Sequence, residues 1–323
     1  MNKIIQGDAF EQLKLLDTES VDCIITSPPY YQLRKYGNSE YEFGHEESVK
    51  LFIDNLTEVF MECHRVLKKD GTLYIVIGDT YNGGSNAKNT KSKENYSEYE
   101  FRKNDFSIQK KSLIGIPERL MISLIDRGWI CRNNIIWHKP NAMPSSVKDR
   151  FTIDYENILF FTKSQMYYFN QLKEPMKTTD TNSPRGSNGT LGELNNGLRQ
   201  LRKRNRTISN KQDEIGRSDY TGFNDRYKAP YDLMRNKRSV WSISTESSPI
   251  KHYAMFPKEL VEQLLESGAK PGGVVLDPFA GAGTTLRYAK LHGYQYIGIE
   301  LYEKNCKIIE DRLNKTPILQ KLF

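Results

Sequence analysis

Ser27, Pro28, Pro29 and Tyr30 follow directly on the apolar run Val21–Thr26, VDCIIT. Two consecutive prolines fix two φ angles and supply no N–H groups, so a strand ending here runs into a stiff loop whose carbonyls point outward. A serine oxygen beside a proline carbonyl is a pair of acceptors matched to the two hydrogens of an NH2 group. Hydrogen bonds to both would localise a nitrogen lone pair that is otherwise delocalised into an attached ring, and aim it at an electrophile. Tyr30 would stack on that ring. Such a site works by positioning and electrostatics and needs no covalent nucleophile. Read alone, the same stretch is also an ordinary strand-terminating turn in which Ser27 caps and Tyr30 packs.

A second stretch with chemical potential is VVLDPFAGAGTT, Val274–Thr285. It reads as a strand, a turn holding Gly281 and Gly283, and a helix start. Glycines let the backbone approach a ligand, and a helix N-terminus offers unpaired N–H groups with partial positive charge. A nucleotide-like ligand or its carboxylate suits such a turn. The next strand ends in Glu300, where a carboxylate can accept from both hydroxyls of a ribose. The dinucleotide pattern GxGxxG is incomplete, because Leu286 stands where its third glycine would be. In isolation this too is a tight strand-to-helix turn without a ligand.

These motifs need strands to carry them. KIIQGD, SVDCIIT, TLYIVIGD, WICRNNIIWHK, ENILFFTK, GGVVLD and YQYIGIE read as seven strands. Helical patterns fall between them: AFEQLKLL; Leu51–Leu67, stopped by Asp70-Gly71; Ile116–Asp126, stopped by Gly128; FPKELVEQLLESGAK; GTTLRYAKLHG; and a last helix from Tyr302. Strands interleaved with helices predict a doubly wound α/β sheet, with both motifs at carboxyl ends of strands, where ligands of open sheets bind. Tyr81–Lys111 is polar and predicts a mobile surface loop. Regular pattern fades between Ser164 and Ser239.

The 323 residues suffice for one large domain with an insertion, and 37% hydrophobic content fits a soluble globular chain. No apolar run approaches the roughly 20 residues that span a bilayer, and MNKIIQGDAF has no signal-peptide core. A cytoplasmic protein without a membrane partner is expected. The four cysteines are widely spaced and form no CxxC pair, so reduced thiols are expected, and the five histidines include no HExxH, so no metal is expected. Net charge is +7. Residues 163–238 hold 16 Lys and Arg against 8 Asp and Glu, so the basic excess belongs to one segment.

TSPPY together with DPFAGAGTT resembles the β group of the DNA amino-methyltransferases, as do HRVLKKDGTLYIVIGD, IPERLMISLIDRGWICRNNIIWHKPNAMPSSVKDRFTIDYENILFFTK and HYAMFPKELVEQLL. The resemblance covers nearly the whole chain outside the basic segment and the polar loop. It implies a Rossmann-like seven-stranded methyltransferase sheet, circularly permuted so that its first two strands are encoded last. Residues 1–163 would be the catalytic half, 164–239 the target-recognition region and 240–323 the cofactor half. S-adenosylmethionine would be the cofactor, held by Asp277, Phe279, Gly281, Gly283 and Thr284, with Glu300 on the ribose and Asp8 near the adenine. His252–Pro257, including Phe256, would flank the methionine end. Ser27 and the Pro28 carbonyl would bind the target amino group, backed by Pro29, with Tyr30 on the face of the base. Asp277 and Glu300 are equally able to cap backbone amides, and Asp8 to cap a helix.

Serine at the first motif position is, in this family, associated with N4 of cytosine, and Asp or Asn with N6 of adenine. Methylation at C5 needs a cysteine nucleophile, and none of the four follows a proline. The target base of duplex DNA would be flipped out. Tyr31, Arg34, Lys35 and Tyr36 would cap the pocket, or form a solvated loop. Arg202, Lys203, Arg204 and Arg206 would neutralise phosphates. Lys139-Pro140-Asn141 and Asp149-Arg150 match the family too, although a turn and a buried ion pair explain them equally. A cognate restriction endonuclease is the implied partner, the protein itself being a monomer or homodimer. N6-adenine methylation, methylation of RNA or a protein amide, and a non-catalytic DNA-binding module stay open as alternatives.

Overall fold

The computed structural model describes residues 2–32, 42–83, 105, 107–175, 234–246 and 256–319. They belong to two compact units, Met1–Asn170 with Arg238–Phe323, and Gln171–Lys237. The first unit contains β1 (Asn2–Gln6), α1 (Ala9–Lys14), β2 (Val21–Thr26), α2 (Val49–Val66), β3 (Leu67–Ile77), α3 (Ile116–Asp126), β4 (Ile130–His138) and β5 (Tyr155–Thr162). In the second, β6 (Lys173–Pro175) and β7 (Met234–Asn236) pair antiparallel, with Arg235 donating to Glu174 at 2.8 Å. The first unit resumes with β8 (Val240–Ser242), α4 (Lys258–Gly268), β9 (Val274–Asp277), α5 (Thr284–Leu291), β10 (Gln295–Glu300) and α6 (Glu303–Asn314).

The sheet of the first unit has the order β1-β10-β9-β2-β3-β5-β4-β8. Neighbours from β1 to β3 run parallel, and β5 is antiparallel to both β3 and β4. Thus β9 and β10, encoded late, lie between β1 and β2. The connection from β9 through α5 leads away on one side and that from β2 through α2 on the other. The sheet's switch point, where α/β folds open a crevice, is therefore the β9/β2 pair.

Alternation along the strands builds two cores. Ile24, Ile75 and Leu159 face a layer made by α1, α2 and α3, while Cys23, Ile25 and Val76 face Leu260 and Leu264 of α4, Leu286 of α5 and Ile309 of α6. In α2 the helical spacing buries Phe52, Leu56, Val59, Phe60 and Cys63 together, as the sequence predicts.

The structure departs from the sequence reading in four places. The seven predicted strands form, but β8 adds an eighth, parallel to β4; with only Trp241 of its three residues buried, it leaves no periodic signal. Asp70-Gly71 does not stop α2, which ends at Val66 and passes straight into β3. Those two residues sit where the β2/β3 register shifts, an irregularity held by Lys68 donating to both carboxylate oxygens of Asp22 at 2.8 Å and by the Lys270–Asp70 ion pair. Tyr31 does not cap a pocket: it is 2% exposed and packs on Phe52, while Arg34, Lys35 and Tyr36 lie outside the described residues. The described ends of the stretch 81–111 are pinned, with Asn82 donating to the Asp105 and Ile108 carbonyls, and Asp105 accepting from the Val49 amide at 2.8 Å to cap α2.

Gly298 lets α5 lie close to the sheet, since a Cβ there would meet Leu286 Cδ1 at 2.3 Å. Gly298→Ala is expected to lower unfolding stability by about 1–3 kcal/mol through overpacking, read as a drop in urea midpoint at unchanged slope.

Candidate active site

Cys23 pairs with Val275 and Ile24 with Leu276, so Thr26 and Asp277 end neighbouring parallel strands. Their side chains meet there: Thr26 Oγ1 donates to Asp277 Oδ1 at 2.6 Å in a fully buried contact. From this bond one loop leaves as Ser27–Tyr30 and the other as Pro278–Gly283. Both line one cavity of about 440 Å³.

On the glycine-turn side, Asp277 also accepts from the Phe279 amide at 3.1 Å. Burial pushes its carboxyl up to about 6, against the opposing hydrogen bonds from Thr26, Thr285 and the Phe279 amide. Glu300 is buried beside it and accepts from the Gly281 amide at 2.9 Å, the Tyr302 amide at 3.0 Å and Asn305 Nδ2 at 2.9 Å. Burial raises its carboxyl as well, partly offset by these donors. Amide capping and a place on the cavity wall therefore coexist in both acids. Asp8 likewise caps α1, accepting from the Glu11 amide at 3.0 Å, and lines the cavity.

The two glycines separate. Gly281 has φ +53° and a Cβ there would meet nothing nearer than the Phe279 carbonyl at 4.0 Å, leaving space toward the cavity. Gly283, at φ +73°, is not on the cavity wall; a Cβ there would strike Ile309 of α6 at 2.8 Å. Its missing side chain thus makes room for α6, with α5 starting at Thr284 immediately after it. Phe279, Thr284 and Phe256 line the cavity, whereas 252–255 lie outside the described residues.

On the other side, Ser27, Pro28, Pro29 and Tyr30 all line the cavity, and the Ser27 hydroxyl has no hydrogen-bond partner among the described residues. Tyr30 is held at its far end, its hydroxyl donating to Glu156 Oε2 at 2.8 Å, and Lys139 pairs with the other Glu156 oxygen. Lys139 also sits 4.5 Å above the Trp137 ring. Gly78 makes room for this, since a Cβ there would meet Tyr30 Cε2 at 2.9 Å and Glu156 Cγ at 3.4 Å. Sequence reasoning missed Glu156, Trp137 and Gly78 as site residues. Each is a lone residue at the end of an apolar strand, so its only signal is nearness to a strand's carboxyl or amino end on the crevice side. Glu42 and Tyr302 were missed too; both line the cavity and bond each other at 2.6 Å.

Arg202, Lys203, Arg204 and Arg206 lie outside the described residues. Asp149 and Arg150 form no buried pair: Asp149 is exposed and binds Lys111 at 2.7 Å, and Arg150 lies 3.4 Å from the Tyr81 ring centre. Cys23, Cys63 and Cys306 are buried free thiols, and burial pushes the first up to about 12 and the last to about 11.

A family profile described as DNA methylase matches residues 21–311. The Type II methyltransferase M.SmaI of Serratia marcescens is 34% identical over 316 residues, covering 96% of this chain and 90% of that protein. M.Cfr9I of Citrobacter freundii is 34% identical over 312 residues, covering 96% and 87%. Among solved structures, the PvuII DNA methyltransferase (cytosine-N4-specific) superposes with a TM-score of 0.60 at 17% identity, covering 100% of this chain and 88% of that one. M1.HpyAVI, solved as a complex with SAM, gives 0.52 at 18% identity, covering 97% and 100%. At these identities the two structures show the shared fold.

Asp277 carries a pH signature. Its native carboxyl binds a proton more tightly than the unfolded chain does, so stability falls as pH rises from about 3.9, the ordinary aspartate value, to about 6. The loss above that window is on the order of 3 kcal/mol. In Asp277→Asn, urea unfolding between these pH values should lose this part of the decline; a slope identical to wild type would refute the assignment.

Proposed function

The chain belongs to the DNA methylase family, and on that premise we propose that it methylates N4 of a cytosine flipped out of duplex DNA. It is an S-adenosylmethionine-dependent enzyme of the Type II restriction-modification kind. The observation that carries the finer reading is the Ser27 hydroxyl, without a hydrogen-bond partner among the described residues, beside Pro28 on the same cavity wall as the glycine turn.

The residues present fit the cofactor. A cavity of about 440 Å³ is within the usual range for small-molecule sites. Glu300, with three donors already bound, keeps about one of its roughly four lone-pair directions for a ribose hydroxyl. Phe279 offers an aromatic face, Gly281 leaves its side of the turn open, and Asp8 keeps a second carboxylate oxygen for the adenine end. Thr284 and Phe256 close the remaining wall. When bound, S-adenosylmethionine supplies an electrophilic methyl carbon.

Ser27 and the Pro28 carbonyl accept the two amino hydrogens of the target base and direct its lone pair toward that carbon. Pro29 keeps the loop from relaxing. Tyr30, fixed at its hydroxyl by Glu156, presents its ring to the face of the base. The serine supports cytosine over adenine, because its neutral hydroxyl takes the place of the acid or amide associated with N6 transfer. Flipping brings the base to these groups at a cost of a few kcal/mol. The division into a catalytic half (1–163), a basic target-recognition region (164–239) and a cofactor half (240–323) belongs to the same reading, with Arg202, Lys203, Arg204 and Arg206 on phosphates. So does protection of sites cut by a cognate endonuclease.

Incubating the protein with unmethylated plasmid and methyl-labelled S-adenosylmethionine, then analysing nucleosides by mass spectrometry, should yield N4-methylcytosine. N6-methyladenine alone would overturn the base assignment, and label confined to RNA or protein would overturn the DNA substrate. Ser27→Ala should lose about 10²–10³-fold in turnover while cofactor affinity measured by calorimetry stays within about twofold; wild-type turnover would remove Ser27 from the site.

A further inference from the structure

The connection between β4 and β5 is far longer than its topology requires. These strands are antiparallel neighbours, which about two to five residues can join, yet the chain runs through residues 139–154 between His138 and Tyr155. Long connections inside compact domains usually serve a function. Both feet of this loop stand in the cavity wall, Trp137 and Lys139 on the β4 side and Glu156 on the β5 side. Its base is closed by the Lys139 amide donating to the Asp154 carbonyl at 2.7 Å. It is tied to the segment after β8 by Asn141, which donates to the Thr245 carbonyl at 3.0 Å and accepts from the Thr245 amide at 2.9 Å.

Beyond this anchored base the loop is exposed along most of its length, touching Lys111 and Tyr81 through Asp149 and Arg150, and carries apolar side chains. Phe151 is 97% exposed and Met143 is 88% exposed. Single exposed apolar residues are ordinary, but two nearly bare ones on one loop rooted at a ligand cavity are not explained by leftover surface. Basic groups accompany them. Lys148 and Arg150 have no carboxylate partner among the described residues, and the one acid between them, Asp149, is neutralised by Lys111. Exposed apolar side chains flanked by cations match the interior of a base stack bordered by phosphates.

We propose that this loop is the DNA-penetrating element of the protein, with Phe151 as the wedge that occupies the stack at the position vacated by the flipped base. The proposal rests on the reading of the cavity as the pocket for that base. With both feet in the pocket wall and Phe151 three residues from the Asp154 foot, the exposed ring meets the duplex next to the target as the target enters. Phe151 then substitutes its own ring for the lost stacking partner and hinders return of the base.

The test uses oligonucleotide duplexes carrying a site located on methylated plasmid, either fully paired or mismatched opposite the target base. A mismatched base leaves the stack easily and needs less help. Phe151→Ala should lower kcat/KM at least tenfold on the paired duplex and by no more than about threefold on the mismatched one, with cofactor affinity unchanged. Phe151→Leu, which keeps an apolar wedge, should recover most of the paired-duplex activity. Since Phe151 is almost wholly exposed, these changes leave the fold intact. Equal activity of Phe151→Ala and wild type on the paired duplex, or an equal deficit on both duplexes, would overturn the wedge while leaving the functional reading standing. Failure of the wild-type protein to methylate any duplex would overturn that reading and the wedge with it.

Discussion

The hydrogen bond from Thr26 to Asp277 joins two strands 251 positions apart in the chain at the point where the sheet opens. Everything proposed for the site hangs from it. Thr26 is the last residue before the stiff Ser-Pro-Pro-Tyr loop, and Asp277 the last before the glycine turn, so their contact fixes the separation between the loop proposed to grip an amino nitrogen and the turn proposed to hold a methyl donor. A reaction that proceeds by positioning, without a covalent intermediate, depends on that separation more than on the acidity of any single group.

The same bond is part of a costly arrangement. Asp277 and Glu300 are both buried, and burial raises both carboxyls. The fold answers with donors: a hydroxyl and an amide on Asp277, two amides and a carboxamide on Glu300. Three of these donors, the Phe279, Gly281 and Tyr302 amides, come from the turns that would face a cofactor, so the acids organise the backbone of the site while standing in its wall. Replacing either acid would therefore disturb loop geometry as well as any ligand contact, which is why a cofactor role and a capping role for such residues are physically one design.

Much of this was legible in the sequence because it is periodic or sterically special. Seven strands announced themselves by apolar runs, α2 by its helical spacing, and the two loops by proline and glycine. What stayed hidden depends on direction. Tyr30 and Tyr31 are adjacent and chemically alike, yet one faces the cavity and the other the core. Gly281 and Gly283 both take positive φ, but only the first looks toward open space. Glu156 and Gly78 gain meaning only when β3 and β5 are paired, since together they hold the Tyr30 ring. The three residues of β8 and the shifted register at Asp70-Gly71 leave no pattern, being set by tertiary pairing alone.

The central claim is that one buried bond holds donor and acceptor loops in a common geometry, and Thr26→Val tests it with the least change of shape. The measurement is paired: S-adenosylmethionine affinity by calorimetry, and the single-turnover rate of methyl transfer to plasmid DNA at saturating cofactor. Leaving a buried carboxylate short of a hydrogen bond costs about 1–3 kcal/mol, so both quantities should fall by roughly tenfold. A fall in one with the other at its wild-type value would contradict the account, because the two loops would then be positioned independently.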